Sequence, residues 1–336
     1  MSSVTEPVRW GLLGTALINE KLLAGAARTE LAQVQAVASR DPRRAQDFAG
    51  RWNIPHWYPA YDDLLGDPEV DAVYVPLPNK LHHHWTMRAL AAGKHVLCEK
   101  PYSRHPQEVN EAFDLAALKG LVLSEAYMYR YHPQTLSYAG GDALSAIGPI
   151  KLIVGSFTWP TDAPGDVRLD PALDGGSLLD VGCYCVSAAR LLAGNPLSVM
   201  AHSMIGPSGV DVAMSASMTF AEGVLAHFDS GFHLPDRSHL EITGTKGSIR
   251  VRDPWHCADP GLEIMLQGQP PQHLRVEQAN SYQLELEAFA RAVAGDPHAV
   301  LGRADAFGQA ATIEALYASA ATGRAVSPNR QEDQPS

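Results

Sequence analysis

Residues Val8 to Leu13 form an apolar run that ends in Gly14-Thr15-Ala16. After it, Leu22, Leu23, Ala26 and Ala27 recur at helical spacing, and Val34 to Ala38 returns to a continuous apolar stretch. Strand, tight turn, amphipathic helix and buried strand in this order make one βαβ unit, whose crossover forces the two strands to run parallel. The turn then lies at the carboxyl end of the first strand, where the following helix offers unpaired amides to an anion such as a pyrophosphate. Set on the fingerprint G-x-G-x-x-G, the glycine places are held by Gly14, Ala16 and Asn19, with Thr15 and Leu17 in the same turn. Ala is a small replacement, whereas Asn at the third place is a departure.

The second strand runs into Ser39-Arg40-Asp41-Pro42-Arg43-Arg44. An NAD enzyme places an acid at this point to hold the ribose hydroxyls. A hydroxyl and guanidinium groups stand here instead, so Ser39, Arg40 and Arg44 suit a 2′-phosphate and the segment favours NADP over NAD. Asp41 before Pro42 also reads as the cap of the next helix, an account that leaves Ser39-Arg40 unexplained.

The alternation continues through a helix at Asp62 to Leu65 and a strand at Ala72 to Val75. Pro76-Leu77-Pro78-Asn79 follows as a stiff loop on the same edge, with two amide donors removed, which suits a wall against a flat ring better than a phosphate cradle. A helix over His83 to Ala92 ends at Gly93, and Val96-Leu97-Cys98 reads as a buried parallel strand that delivers Glu99-Lys100-Pro101 to the ligand edge. Pro101 biases Lys100 towards extended backbone angles. Taken alone, Lys100 reads as a solvated lysine at a strand exit. Pro106 opens the next helix, and Val122-Leu123-Ser124 is the last strand of this half.

At 336 residues the chain exceeds what one core usually holds. The expected division is a dinucleotide-binding domain over 1–125, a substrate and oligomerisation domain over 126–326, and a disordered polar tail over 327–336. The second half changes rhythm: one helix at Pro133 to Ser145 precedes strand-like runs at Lys151 to Trp159, Val199 to Ser203, Val212 to Phe220, Gly223 to Phe232, Leu240 to Thr243 and Ser248 to Val251. Helices at Ser281 to Ala294 and Ala304 to Ala320 follow. The fold class expected is therefore an α/β Rossmann domain with a parallel sheet, joined to an α+β domain with a large, open, mostly antiparallel sheet.

Charge narrows the function. With 26 Lys plus Arg against 37 Asp plus Glu, the net charge is -11, which argues against nucleic acid as a partner. No apolar run has the length of a membrane span, and the first residues have neither a basic start nor an apolar core, so a cytoplasmic protein is expected. Cys98, Cys183, Cys185 and Cys257 are too scattered for a disulfide framework and read as free buried thiols. His82-His83-His84 has no ligand spacing, since adjacent helical residues point apart, and no metal is expected.

The segment Asp174-Gly175-Gly176-Ser177-Leu178-Leu179-Asp180-Val181-Gly182-Cys183-Tyr184 opens a helix on which Asp180 and Tyr184 stand four apart, stacking a carboxylate and a phenol. An isolated pair of this kind is usually structural. Together with Gly11-Leu12-Leu13-Gly14-Thr15-Ala16, Pro76-Leu77-Pro78-Asn79 and Glu99-Lys100-Pro101, in this order along nearly the whole chain, it resembles the glucose-fructose oxidoreductase and inositol dehydrogenase superfamily. Glu125-Ala126-Tyr127-Met128-Tyr129-Arg130-Tyr131-His132-Pro133 and the Asp-x-Gly-x-Tyr form look like its NADP-dependent aldose dehydrogenases, of the D-xylose type, and its dihydrodiol dehydrogenases. Inositol dehydrogenase relatives usually carry His where Tyr184 stands.

The resemblance implies that Lys100 and Tyr184 act together beside the nicotinamide. A free phenol, with a pKa near 10, is a poor base at neutral pH, and a nearby ammonium favours its ionised form. Asp180 would hold a neighbouring hydroxyl, while Tyr127, Arg130, Trp159 and Arg168 line the sugar pocket and His82 and Glu99 join the cofactor edge. The activity implied is NADP-dependent oxidation of an aldose at its anomeric carbon to a lactone. Alternatives are a ketosugar or anhydrosugar reductase, a dihydrodiol dehydrogenase, or a dinucleotide-binding sensor without catalysis. A homo-oligomer, dimer or tetramer, is expected because the second sheet has too few helices to cover both faces.

Overall fold

The structure is a computed structural model that describes residues 6–328 of the chain, so most of the expected tail over 327–336 lies outside the described residues. The described chain forms two compact units. Within the described residues the first comprises 6–103, 107–128 and 280–306, and the second 104–106, 129–279 and 307–328.

In the first unit β1 (Val8–Leu13), α1 (Ile18–Ala26), β2 (Ala32–Ala38), α2 (Pro42–Trp52), β3 (His56–Tyr58), α3 (Tyr61–Leu65), β4 (Ala72–Val75), α4 (Asn79–Ala91), β5 (His95–Glu99), α5 (Pro106–Lys119) and β6 (Leu123–Ala126) follow one another. The sheet order is β3-β2-β1-β4-β5-β6, with every pair parallel. Its order reverses between β2 and β4 around β1, so the carboxyl ends of β1, β4 and β5 border one crevice. The core gathers Trp10, Leu12, Leu22, Val37, Phe48, Tyr74 and Leu97. Only β3 was absent from the sequence reading, because His56-Trp57-Tyr58 is short and half-exposed.

A helix from the far end of the sequence completes this unit. In α9 (Ser281–Val293), Leu286, Phe289 and Ala290 enter the same core, and Phe289 meets Trp10 at 4.9 Å between ring centres. At Gly25 of α1 a Cβ would lie 2.7 Å from the Gln283 nitrogen, so only glycine lets α1 and α9 approach so closely. The expected boundary at 125/126 places this segment with the second half. Residues 280–306 instead return to the first unit, where the apolar face of α9 finds its partner.

The second unit is an eight-stranded sheet, β14-β13-β12-β11-β7-β10-β9-β8. Its strands are β7 (Ile150–Thr158), β8 (Ser198–Ile205), β9 (Asp211–Thr219), β10 (Leu225–Gly231), β11 (Arg237–Gly244), β12 (Gly247–Arg252), β13 (Gly261–Leu266) and β14 (Gln272–Arg275). All neighbours are antiparallel except β7 and β10, so the sheet is mostly antiparallel, as the run of strands implies. The helix α8 (Cys183–Ala193) lies against β7 and β10, and α10 (Arg303–Thr322) closes the chain. The helix expected over 133–145 is two, α6 (Pro133–Ala139) and α7 (Asp142–Ala146), broken at Gly140-Gly141, where Gly141 takes a φ of +80°. All four cysteines are buried and unbridged.

Candidate active site

The turn after β1 is built for a close approach. Gly14 has a φ of +116°, and a Cβ there would meet Leu77 Cδ2 at 3.4 Å and the Tyr61 hydroxyl at 3.7 Å. The following α1 opens without a side-chain cap, and although the Asn19 and Glu20 amides turn back to the Ala16 and Leu17 carbonyls, its positive end still favours an anion. Asn19, the departure from the glycine fingerprint, is fully buried and its amide donates to the Gly14 carbonyl at 2.8 Å. Asparagine therefore holds the turn from within where a third glycine would only permit close packing. Thr15 and Ala16 are half-buried and Leu17 is exposed on this turn.

At the end of β2, Ser39 is buried and its hydroxyl accepts from the Asp41 amide at 3.2 Å. Asp41 caps α2 through the amides of Arg43 and Arg44, as the capping account has it. Arg40 and Arg44 are nonetheless exposed, and both face Tyr61, whose hydroxyl is raised by burial although these two guanidiniums pull it down. Capping and phosphate recognition thus use different atoms of one segment. These features form a cradle that a Cβ would fill with cations beside it, and they fit a dinucleotide carrying a 2′-phosphate.

After β4, Pro76 is buried while Leu77, Pro78 and Asn79 are half-buried at the start of α4. His82 is buried beneath them. Its Nε2 lies 2.7 Å from the Leu77 carbonyl and its Nδ1 2.9 Å from the Pro101 carbonyl, so the ring is enclosed between two backbone loops, the neutral form donating to one carbonyl at a time, and neither nitrogen points outward. Burial holds its pKa below the ordinary value, against the pull of the two carbonyls. His83 turns to Tyr102 and Glu111, and His84 to Trp85, so the triple histidine spreads in three directions.

β5 delivers Glu99 and Lys100, both half-buried, to this edge. The Lys100 amide donates to Glu99 Oε2 at 3.3 Å, and Glu99 Oε1 accepts from the Tyr74 hydroxyl. Burial, then the Glu99 charge, pushes the Tyr74 phenol far up. Below lies Glu285 of α9, fully buried, its carboxyl raised first by burial and then by Glu99. Sequence reasoning missed Glu285 because it comes from a segment assigned to the other half. Tyr127, expected in the sugar pocket, is fully buried at the end of this unit.

The second unit positions the other group of residues. Residues 178–182 form one wide turn, closed by the Cys183 amide on the Leu178 carbonyl, before α8 begins. The sequence reading placed Asp180 and Tyr184 on one regular helix. The extra residue in this turn separates them, a device found often at functional sites. Asp180 Oδ2 accepts from Trp159 Nε1 at 3.2 Å and from Arg168 Nε at 3.1 Å. The Arg168 guanidinium lies over the Trp159 ring, 5.3 Å from its centre. Burial lowers the Arg168 pKa, but Asp180 and Asp166 more than offset it and the group is raised. Tyr184, 7% exposed, sits among Tyr129 at 5.7 Å, Phe157 at 5.5 Å and Trp255 at 6.1 Å between ring centres. Arg130 Nη1 donates to Ser187 Oγ at 3.3 Å, which directs it to α8. Trp159, Arg168 and Asp180 are therefore brought together by the fold, and Arg130 reaches α8 through Ser187.

A parallel-sheet nucleotide crevice and a second unit presenting a carboxylate, a guanidinium, an indole and a phenol define a dinucleotide-dependent oxidoreductase. The chain belongs to the GFO/IDH/MocA oxidoreductase family: the model of its NAD-binding Rossmann fold matches residues 8–127, and that of its C-terminal domain matches 144–250. D-xylose 1-dehydrogenase (NADP(+)) 2 of Haloferax volcanii is 38% identical over 322 residues, covering 94% of this chain and 98% of that protein. Trans-1,2-dihydrobenzene-1,2-diol dehydrogenase of Sus scrofa is 32% identical, covering 78% of each chain. Among solved structures, a 3-ketoreductase from Actinomadura kijaniata in complex with NADP and TDP-benzene superposes with a TM-score of 0.86 at 31% identity, covering 93% of this chain and 98% of that one.

Proposed function

We propose that this protein is an NADP-dependent sugar oxidoreductase that oxidises a pyranose at its anomeric carbon to a lactone. The observation that carries the reading is the Asp180-Arg168-Trp159 cluster beside Tyr184: an indole face to pack on a sugar ring, hydrogen-bonding groups for its hydroxyls and a phenol for the proton. Similarity to an NADP-dependent xylose dehydrogenase supports the choice of substrate and cofactor. Gly14, the N-terminal end of α1, Ser39, Arg40 and Arg44 would hold NADP, with the 76–79 loop against its nicotinamide, and the bound cofactor supplies the hydride acceptor.

The chain's own residues handle the rest. Tyr184 takes the proton of the anomeric hydroxyl as the C–H bond breaks. Asp180, whose Oδ2 is already engaged by Trp159 and Arg168, accepts from a neighbouring hydroxyl rather than serving as the base. With hydride flowing from NADPH and the phenol returning the proton, the same groups would reduce a ring ketone of a ketosugar, and the relation to a 3-ketoreductase keeps that reaction as the second reading. A sensor without catalysis would have no need of Lys100, Asp180 and Tyr184 together, which favours the enzyme reading.

NADPH formation over a panel of xylose, glucose, galactose, anhydrosugars and a dihydrodiol tests the proposal. Turnover of at least one sugar with NADP is expected, and NADP binding without turnover of any of them would refute it. Arg40→Asp should raise the KM for NADP by at least about tenfold while leaving that for NAD within about threefold, as one lost charge-assisted phosphate contact implies. Equal effects on both cofactors would remove the phosphate assignment.

A further inference from the structure

Between Trp159 and Asp180 the chain carries aspartates at 162, 166, 170, 174 and 180 and a single basic residue, Arg168. Arg168 does not stand as an open cation. Its Nε donates to Asp180 Oδ2 at 3.1 Å and its Nη1 to Asp166 Oδ1 at 3.3 Å. Asp166 is itself fixed: Oδ1 accepts from the Arg168 amide at 2.9 Å, capping the turn over Val167–Leu169, and Oδ2 accepts from the Thr161 hydroxyl at 3.3 Å. The two carboxylates are only 16% and 17% exposed, so water screens them poorly, and one guanidinium between them leaves the locus net negative.

We propose that Asp166 is a specificity-determining residue: by occupying Arg168 together with Asp180, it makes this side of the pocket select neutral, unphosphorylated sugars and reject sugar phosphates and nucleotide-linked sugars. The inference rests on the sugar oxidoreductase reading above and sharpens it. An arginine is the group that would recognise a phosphate or diphosphate, through a bidentate fork. Here two of the three nitrogens of the fork, Nε and Nη1, are committed to carboxylates, and an anionic substrate that approached the remaining Nη2 would face the charge of both. A sugar hydroxyl meets no such penalty, because it can donate to a carboxylate oxygen and stack on Trp159. Discrimination of this kind works by repulsion as much as by attraction. Asp166 would act through Arg168, without touching the reacting carbon.

The test uses the intact enzyme with the best neutral aldose of the panel as substrate, and glucose 1-phosphate, glucose 6-phosphate and UDP-glucose as competing ligands. For the wild type, inhibition constants at least about tenfold weaker than the KM of the neutral sugar are expected. Asp166→Asn keeps the capping oxygen and removes the charge, and it should shrink the ratio of inhibition constant to KM by about tenfold for at least one anion, corresponding to about 1.4 kcal/mol. Asp166→Ser, which also retains a capping oxygen, should do the same and serves if the Asn variant does not fold. Arg168→Gln in the Asp166→Asn background should abolish the gained anion affinity. Tight binding of the phosphorylated sugars to the wild type, or an unchanged ratio in both Asp166 variants, would overturn the inference while normal turnover of neutral sugar upholds the functional reading. Failure of every neutral sugar to react would overturn that reading instead.

Discussion

Glu285 is held in a place where ionisation is costly: Oε1 has no partner among the described residues, and the Glu99 charge acts on it through the protein interior. Its folded pKa is raised above the ordinary 4.5, so the folded state binds the proton more tightly than the unfolded one. Below that ordinary value both states are protonated and nothing is lost; as pH rises beyond it the unfolded chain ionises first, and stability falls until the folded carboxyl ionises too. Glu285→Gln should therefore stabilise the protein at pH 8 by about 1 to 3 kcal/mol, with the gain vanishing towards pH 4. Melting curves across this range read it directly, and a gain independent of pH would contradict it. At the other residue of interest, Tyr184→Phe keeps the packing against Tyr129, Phe157 and Trp255 and removes only the hydroxyl. Turnover should drop by roughly two to four orders of magnitude, with the melting temperature and NADP affinity nearly unmoved. Single-turnover hydride transfer near the wild-type rate in this variant would return Tyr184 to a purely structural role.

The wide turn over 178–182 is held at its start by the sheet beneath it. Asp211 of β9 accepts from Ser177 Oγ at 2.9 Å, the Leu178 amide at 2.8 Å and the Tyr317 hydroxyl at 2.9 Å, and Ser177 Oγ also meets Ser230 Oγ at 3.0 Å. Gly176, at a φ of +126°, makes room: a Cβ there would fall 2.2 Å from Asp211 Oδ1. Asp211→Ala would orphan three buried donors, so a loss of about 2 to 4 kcal/mol is expected, with kcat reduced more than KM because the turn orients Asp180. Equal loss in kcat and KM would mean that the anchor is structural only. This element also marks where the sequence stops being legible. The βαβ alternation, the Asp41 cap and the free cysteines could be read because each rests on local composition. An i to i+5 turn has no composition of its own, and Asp166 gave no signal because its role depends on a contact with Arg168 that Asp180, far along the chain, completes. β13 and β14 went unread, since Gln272-His273-Leu274-Arg275 has no alternation and is exposed throughout.

For the molecule as a whole, the second sheet raises the question of what faces its open side. With α8 on one face, burial alternates along β9 and β10: Met214, Ala216 and Met218 are buried, while Ser215, Ser217 and Thr219 are exposed. On the outer face Leu225 pairs with Thr219 and Leu152, His227 with Ser217 and Val154, and Glu241 with Val154. Leu225 is 50% exposed at the start of β10, third from one edge of the eight-stranded sheet, and ion pairs of Arg250 with Glu241 and Glu263 and of Arg237 with Asp229 are spread over β10 to β13. Apolar residues framed by small hydroxyls and paired charges are the composition of an interface core and its rim rather than of a solvated sheet. A two-fold contact between copies of this face is accordingly expected, since a self-complementary patch closes on itself. Sedimentation velocity should show a dimer of twice 36.2 kDa at micromolar concentration, or a tetramer built from it. Leu225→Asp places like charges opposite each other across the two-fold contact and should weaken the dimer by at least about tenfold, without altering the fold read by circular dichroism. A wild type that stays monomeric at these concentrations would rule the contact out, and a Leu225→Asp dimer of undiminished affinity would move it to another surface.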